Sequence, residues 1–132
     1  MNKIKYKKGY KYKIVEDVIT CIPILNLEIK TTLVELNRNG KLTIKKEYSF
    51  DGPSGPAIDT KNFMRGSLVH DALYQLIRLG HLDSGYRKTC DKILVDICKK
   101  DGMSALRRAY VYRGVRMFGG ASVKPREVYI AP

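Results

Sequence analysis

A glycine- and proline-rich stretch at residues 51–61, DGPSGPAIDTK, divides this chain into two parts with different hydrophobic periods. Before this stretch, apolar and polar side chains alternate, which is typical of β-strands with one buried face. After it, apolar residues recur every three or four positions, which indicates helices. Because strands and helices are segregated along the chain, the sequence predicts an α+β domain rather than alternating βαβ units.

The strand-like part covers residues 1–50. Its alternating stretches are IKY, YKYKIV, NLEIKTTLVEL and KLTIKKEYSF. Between the last two, Asn39-Gly40 predicts a hairpin turn, because this dipeptide tolerates positive φ. We therefore expect a small N-terminal antiparallel sheet.

The helical part covers residues 62–118. The predicted helices span 62–79, 86–100 and 103–118. Asn62 is the expected cap of the first helix and Gly80 its end. Residues 119–132 are predicted to be an extended tail. A chain of 132 residues that is 44% hydrophobic is enough for one core, so we expect residues 1–132 to form a single domain.

Three cysteines, Cys21, Cys90 and Cys98, form no CxxC pair. Cys90 and Cys98 lie eight residues apart on one predicted helix, about 12 Å along its axis, which is too far for a disulfide bond. We expect all three to be small core residues in a reducing compartment.

The chain is strongly basic, with 25 Lys and Arg residues against 13 acids and a net charge of +12. Such a surface attracts anionic partners, namely a phospholipid membrane, nucleic acid or an acidic protein surface. Neither a transmembrane run of about 18 apolar residues nor a signal peptide is recognisable in the sequence. We therefore expect a soluble protein that is not processed.

The candidate chemical site lies in the first predicted helix, in the sequence HDALY at residues 70–74. On a helix His70 and Tyr74 share a face, whereas Asp71 is rotated by about 100°. If the second helix packs antiparallel to the first, Asp91 can reach His70. A carboxylate there fixes the imidazole tautomer and raises its basicity, as a general base requires. Asp71 is then available for a hard cation such as calcium, together with carbonyl oxygens of the preceding loop.

This arrangement resembles the phospholipase A2 pattern, especially the compact form in parvovirus minor capsid proteins. The matching pieces are DGPSGP at 51–56, HDALY at 70–74, Gly80 and Asp91. The resemblance implies that His70 activates a water molecule and that Asp91 orients His70. It also implies a calcium site formed by Asp71 and the backbone of Gly52 and Gly55.

A second resemblance covers residues 48–120. Its motifs are FDGPSGP, LVHDALY, RKTCDKIL and YVYRGVRMFGG. They are similar to those of a bacteriophage and prophage family catalogued as domain of unknown function 1353. This resemblance implies a phage origin, with a location in the host cytoplasm or in the virion, and it implies no activity.

The same residues also permit a structural interpretation. Arg113 and Arg116 on the third helix are expected to pair with acids, and one possible partner is Asp51 or Asp71. On this interpretation His70, Asp71, Asp91 and Arg116 form a structural polar network without catalysis. Asp51 can also cap a rigid turn. The sequence thus leaves two functions open. One is a calcium-dependent hydrolase that cleaves an ester in an anionic lipid. The other is a non-enzymatic virion or accessory protein whose basic face binds another virion protein or DNA.

Overall fold

A computed structural model describes residues 6–7, 12–50 and 61–123, and there antiparallel strands are followed by three helices. The fold is α+β with N-terminal strands, as the change of hydrophobic period predicts. Residues 51–60 lie outside the described part, so the predictions for Asp51, Gly52 and Gly55 are not tested, and the same holds for residues 124–132.

The strands are short and form two sheets within the described residues, where one sheet was predicted. They span Tyr6–Lys7 (β1), Tyr12–Ile14 (β2), Val18–Cys21 (β3), Ile29–Lys30 (β4), Val34–Leu36 (β5), Lys41–Ile44 (β6) and Ser49–Phe50 (β7). One sheet has the order β1-β2-β7 and the other β3-β6-β5-β4, and all pairs are antiparallel. The chain changes sheets between β6 and β7, where Glu47 has a φ of 81° and interrupts the extended backbone.

The predicted hairpin connects β5 to β6. Gly40 has a φ of 83°, and the side-chain oxygen of Asn37 accepts hydrogen bonds from the backbone N–H groups of Asn39 and Lys41. The preceding stretch NLEIKTTLVEL is not one strand but two. The Thr31 hydroxyl bonds both the N–H and the carbonyl of Val34, which closes a tight turn between β4 and β5.

The helices agree with the predicted bounds to within two residues. They span Lys61–Arg78 (α1), Arg87–Lys100 (α2) and Ala105–Phe118 (α3). Asn62 lies inside α1 and is not its cap, whereas Gly80 follows the end of α1 with a φ of 82°. Gly119–Val123 forms a 3₁₀ turn, so the first part of the predicted extended tail is helical.

Strands and helices share a common core. The residues of the largest cluster that are completely buried are Ile14, Leu42, Ile44, Leu68, Val69, Ala72, Leu73 and Cys90. A smaller cluster lies between α1, α2 and α3 and contains Phe63, Leu94, Cys98, Met103 and Val111.

Cys90 and Cys98 are thus core residues as predicted. The prediction was wrong for Cys21, which is exposed because the alternation along β3 turns its side chain outward.

Along the interface between α1 and α2, later residues of α1 contact earlier residues of α2. A Cβ added at Gly66 would meet Leu94 and Cys98, whereas His70 contacts Asp91 and Tyr74 contacts Arg87. The two helices are therefore antiparallel, which is the condition for the candidate site. No helix in the described ranges combines the length and the apolar character needed to cross a bilayer.

Candidate active site

The centre of the site is a carboxylate with no contact to solvent. Asp91 lies on the face of α2 that packs on α1, and its side chain is 0% exposed. A buried carboxylate is costly unless charged or polar groups replace its water. Asp91 meets this requirement through side chains from both neighbouring helices.

The first partner of Asp91 is the predicted one. Nε2 of His70 lies 2.7 Å from Oδ1 of Asp91, and the His70 side chain is 13% exposed. Since the ionised carboxylate can only accept, Nε2 carries the proton, and Nδ1 is the acceptor in the neutral ring. Nδ1 has no hydrogen bond to a described residue. Because none of the buried polar side-chain atoms in the described part lacks a partner, Nδ1 must retain access to solvent.

Tyr74 is one turn after His70 on α1, and it points to the same carboxylate. Its hydroxyl donates to Oδ1 of Asp91, and its ring lies 4.0 Å from the His70 ring, centroid to centroid. The shared face of His70 and Tyr74 is therefore confirmed. Tyr74 limits the movement of the imidazole on one side and holds its carboxylate partner on the other.

The third donor comes from α3. Nη1 of Arg116 lies 2.7 Å from Oδ2 of Asp91 and forms an ion pair with it. Arg116 and Asp91 thus belong to one polar network, as the structural interpretation of the sequence expected. Asp71, one of the two possible partners named for the arginines, does not bond to Arg116, and Asp51 lies outside the described residues. The end of α3 packs over α2 and brings Arg116 to the buried acid instead. Arg113 is exposed on α3 and takes no part in this group.

Sequence reasoning missed one residue of the site. Arg87 donates from Nε to the Tyr74 hydroxyl at 3.2 Å, and its Nη2 donates to the carbonyls of Val115 and Arg116 at 2.7 and 3.0 Å. It thereby links the start of α2 to the end of α3. The available signal was its position four residues before Asp91, on the same face of the second helix.

The hydrogen bonds control the ionisation of this group. Burial by itself would raise the pKa of the Asp91 carboxyl, but the hydrogen bonds from His70, Tyr74 and Arg116 outweigh burial and hold the pKa below its usual value. Burial, and then the bond to Asp91, raise the pKa of the Tyr74 hydroxyl. Asp91 is therefore ionised and Tyr74 protonated at neutral pH.

Asp71 has a different environment from its neighbour His70. Its Oδ2 accepts a hydrogen bond from the Tyr48 hydroxyl at 3.0 Å, which connects α1 to the segment before β7. This residue supplies one oxygen ligand of the type that calcium prefers. The other two expected ligands, at Gly52 and Gly55, lie outside the described residues. No group of three or more His, Cys, Asp or Glu residues that could hold a metal ion occurs in the described part. The calcium site stays a prediction.

Comparison with known proteins finds no relative: no protein-family model, no curated protein and no solved structure matches the chain. Both resemblances drawn from the motifs therefore stay predictions. The geometry around Asp91 is the evidence on function.

Proposed function

We propose that this protein is a hydrolase in which His70 is the general base and Asp91 is the carboxylate that orients it. The observation that carries the proposal is the 2.7 Å contact between Nε2 of His70 and the buried Asp91, with the His70 side chain still 13% exposed. A general base needs one nitrogen held in a fixed tautomer and the other available to a water molecule. The antiparallel packing of α1 and α2 supports both conditions.

In the proposed reaction the two ring nitrogens of His70 have different roles. Nδ1 of His70 takes a proton from water while the water oxygen attacks the carbonyl carbon of an ester. The imidazolium then returns the proton to the departing alcohol oxygen as the carbon–oxygen bond breaks, so the products are a carboxylic acid and an alcohol. The Asp91 carboxylate stabilises the positive charge on the ring. Tyr74 and Arg116 keep that carboxylate in place.

The proposed substrate is an ester in an anionic phospholipid. The net charge of +12 favours an anionic surface, and the HDALY motif with Asp91 resembles the phospholipase A2 pattern. Calcium, if bound by Asp71 and the backbone of Gly52 and Gly55, would polarise the ester carbonyl. The phage origin and a location in the host cytoplasm or the virion belong to the same proposal.

The test measures fatty-acid release from anionic phospholipid vesicles, with added calcium and with a chelator. We expect His70→Gln to lower the rate by about 100-fold or more, which is the usual contribution of a general base. The matched control is His81→Gln, because His81 is the second histidine of the chain and is exposed. Equal rates for the wild type and His70→Gln, or no release by the wild type, would contradict the proposal.

A second candidate function is favoured by the number of bonds on Asp91. Donors from α1 and α3 converge on this residue of α2, so the group also cross-links three helices. On this alternative the protein is a non-enzymatic virion or accessory protein whose basic face binds another virion protein or packaged DNA. His70→Gln would then lower the melting temperature, and neither protein would release fatty acid.

A further inference from the structure

The third helix has an exposed apolar stripe on the side that faces away from the core. Leu106, Tyr110 and Met117 are 85%, 58% and 66% exposed. Arg113 is also exposed and lies between them. These four residues follow each other at intervals of four, three and four, so they lie along one line of the helix, about 16 Å long.

The stripe is separate from the packed side of α3. Val111 is buried in the smaller core cluster, and Val115 packs against that cluster. At about 100° per residue, these valines lie on average about 140° around the helix axis from Leu106 and Tyr110. The apolar residues of the stripe therefore do not stabilise the core.

The charge of α3 indicates which partner fits this stripe. The helix contains four arginines, Arg107, Arg108, Arg113 and Arg116, and no acidic residue. Arg116 and Arg108 bond to groups of the chain itself, whereas Arg113 is exposed and occupies a position within the stripe. A cationic helix with an exposed apolar line is typical of proteins that lie on anionic membranes.

Nucleic acid fits this surface less well. Phosphates would bind the arginines, but Leu106 and Met117 at the two ends of the stripe would gain nothing from contact with a charged backbone. The boundary between lipid headgroups and acyl chains accommodates both kinds of side chain. Leucine and methionine insert into that boundary, tyrosine lies at the level of the headgroups, and arginine reaches the phosphates.

We propose that the stripe formed by Leu106, Tyr110, Arg113 and Met117 docks on the surface of an anionic phospholipid membrane. The choice of an anionic phospholipid rests on the proposed function. Docking itself does not require that the lipid is hydrolysed. Arg116 on the same helix holds Asp91, so the docking helix is also the one that completes the candidate site. Docking would thus place that site near the membrane.

The experiment measures binding without turnover. The full chain is sedimented with vesicles of ether-linked phosphatidylglycerol and phosphatidylcholine, which contain no carboxylic ester for the proposed hydrolase to cleave, and with vesicles of ether-linked phosphatidylcholine alone. We expect binding to the anionic vesicles, weakened by salt. Leu106→Ser combined with Met117→Ser should raise the apparent Kd about tenfold or more, because two inserted apolar side chains are lost.

Two matched controls distinguish binding through the stripe from binding through the overall positive charge of the protein. Leu79→Ser removes an exposed leucine at the end of α1 and should leave the Kd unchanged. Arg113→Gln should weaken binding more than Arg38→Gln, although both remove one exposed arginine.

Four results would overturn the inference. The first three are equal Kd values for the stripe variant and the wild type, equal binding to neutral and anionic vesicles, and a dimer in solution that the stripe variant converts to a monomer. Loss of duplex-DNA binding in the stripe variant without any vesicle binding would also overturn it in favour of nucleic acid. The vesicle experiment measures binding without hydrolysis, and the fatty-acid assay measures hydrolysis. Failure of the docking proposal is therefore distinguished from failure of the hydrolase proposal.

Discussion

Asp91 combines complete burial with three hydrogen-bond donors, and it is the residue on which the candidate site depends. An ionised carboxylate in this position is stable only while those donors remain. Asp91 also differs from two of its partners in exposure, because the side chains of His70 and Arg116 are partly exposed and that of Asp91 is not. Loss of the carboxylate should therefore cost stability as well as any activity.

The first prediction concerns the stability of the Asp91→Asn variant and its dependence on pH. Because the folded-state pKa of Asp91 is lowered, its contribution to the free energy of unfolding is present above the unfolded-state pKa of about 3.9 and is lost as the pH falls through the folded-state value. We expect Asp91→Asn to be about 3 kcal/mol less stable at pH 7. The difference from wild type should shrink below about pH 4. Urea titrations at several pH values measure it, and a difference independent of pH would contradict the assignment.

The second prediction uses two glycines near the end of α3. A Cβ added at Gly119 would lie 2.8 Å from the Tyr74 hydroxyl and 3.1 Å from its ring, whereas a Cβ at Gly114 would meet no heavy atom within 4 Å. Gly119→Ala should displace Tyr74 and lower the free energy of unfolding by about 1–3 kcal/mol. Gly114→Ala should raise that free energy by about 0.5–1 kcal/mol, since alanine is the better helix former. Denaturant titration of both proteins tests this pair, and equal effects would argue against a tight contact at Gly119.

The sequence predicted the His70–Asp91 pair on the condition that the second helix packs antiparallel to the first, and the structure meets that condition. The structural interpretation placed Arg116 and Asp91 in one polar network, but the sequence could not give the direct contact between them, because that depends on how α3 crosses α2. Nor did it identify Arg87, whose acceptors include backbone carbonyls 28 and 29 residues later in the chain. The position of Arg87 four residues before Asp91 places it on the same helix face, but its distant backbone acceptors leave no pattern in the sequence.

At the scale of the elements, the end of α3 is bonded by a side chain of the neighbouring helix α2. Its last carbonyls have no helical N–H to bond, as at any helix C-terminus. Nη2 of Arg87, at the start of α2, donates to the Arg116 carbonyl and also to the Val115 carbonyl, which in addition accepts from the Gly119 amide. This connection holds the end of α3 against the pair of helices that carry His70 and Asp91.

The third prediction is that Arg87→Gln frays the end of α3. We expect faster hydrogen exchange at the Gly119 amide, which bonds to the Val115 carbonyl, and a loss of about 1.5–3 kcal/mol in the free energy of unfolding. Lys88→Gln is the control, because this neighbouring side chain is exposed. Unchanged exchange in Arg87→Gln would show that α3 ends stably without it.

The helices were easier to predict than the strands, for a physical reason. A helix is stabilised by neighbours three and four residues away, so its period is visible in a short window. The strands here are two to four residues long, and their partners are set by local turns such as those at Thr31 and Glu47. Alternation predicted extended chain correctly but could not show where one strand ends or which sheet it joins.

In the whole molecule, the two halves of the chain meet in one core cluster that contains residues of both sheets and of α1 and α2. The hydrogen bond from Tyr48 to Asp71 adds a polar connection between the same two halves. Neither half has a separate apolar interior of comparable size in the described part. The strands and helices should therefore unfold together.

The fourth prediction tests this cooperativity with Leu73→Ala. Leu73 is completely buried in the shared cluster, so we expect a loss of about 2–5 kcal/mol, with the urea midpoints from far-UV circular dichroism and tyrosine fluorescence lowered equally. Leu79→Ala, at an exposed position, should have little effect. Separate midpoints for the two probes would show that sheets and helices unfold independently.

The cysteines have a practical consequence. Cys90 and Cys98 are buried and their thiol pKa values are raised by burial to about 12, whereas Cys21 is exposed. A thiolate is the reactive form of cysteine. A maleimide dye should therefore attach to the native protein at one position only, on β3. That gives a fluorescent label distant in sequence from both His70 and the third helix, without any mutation.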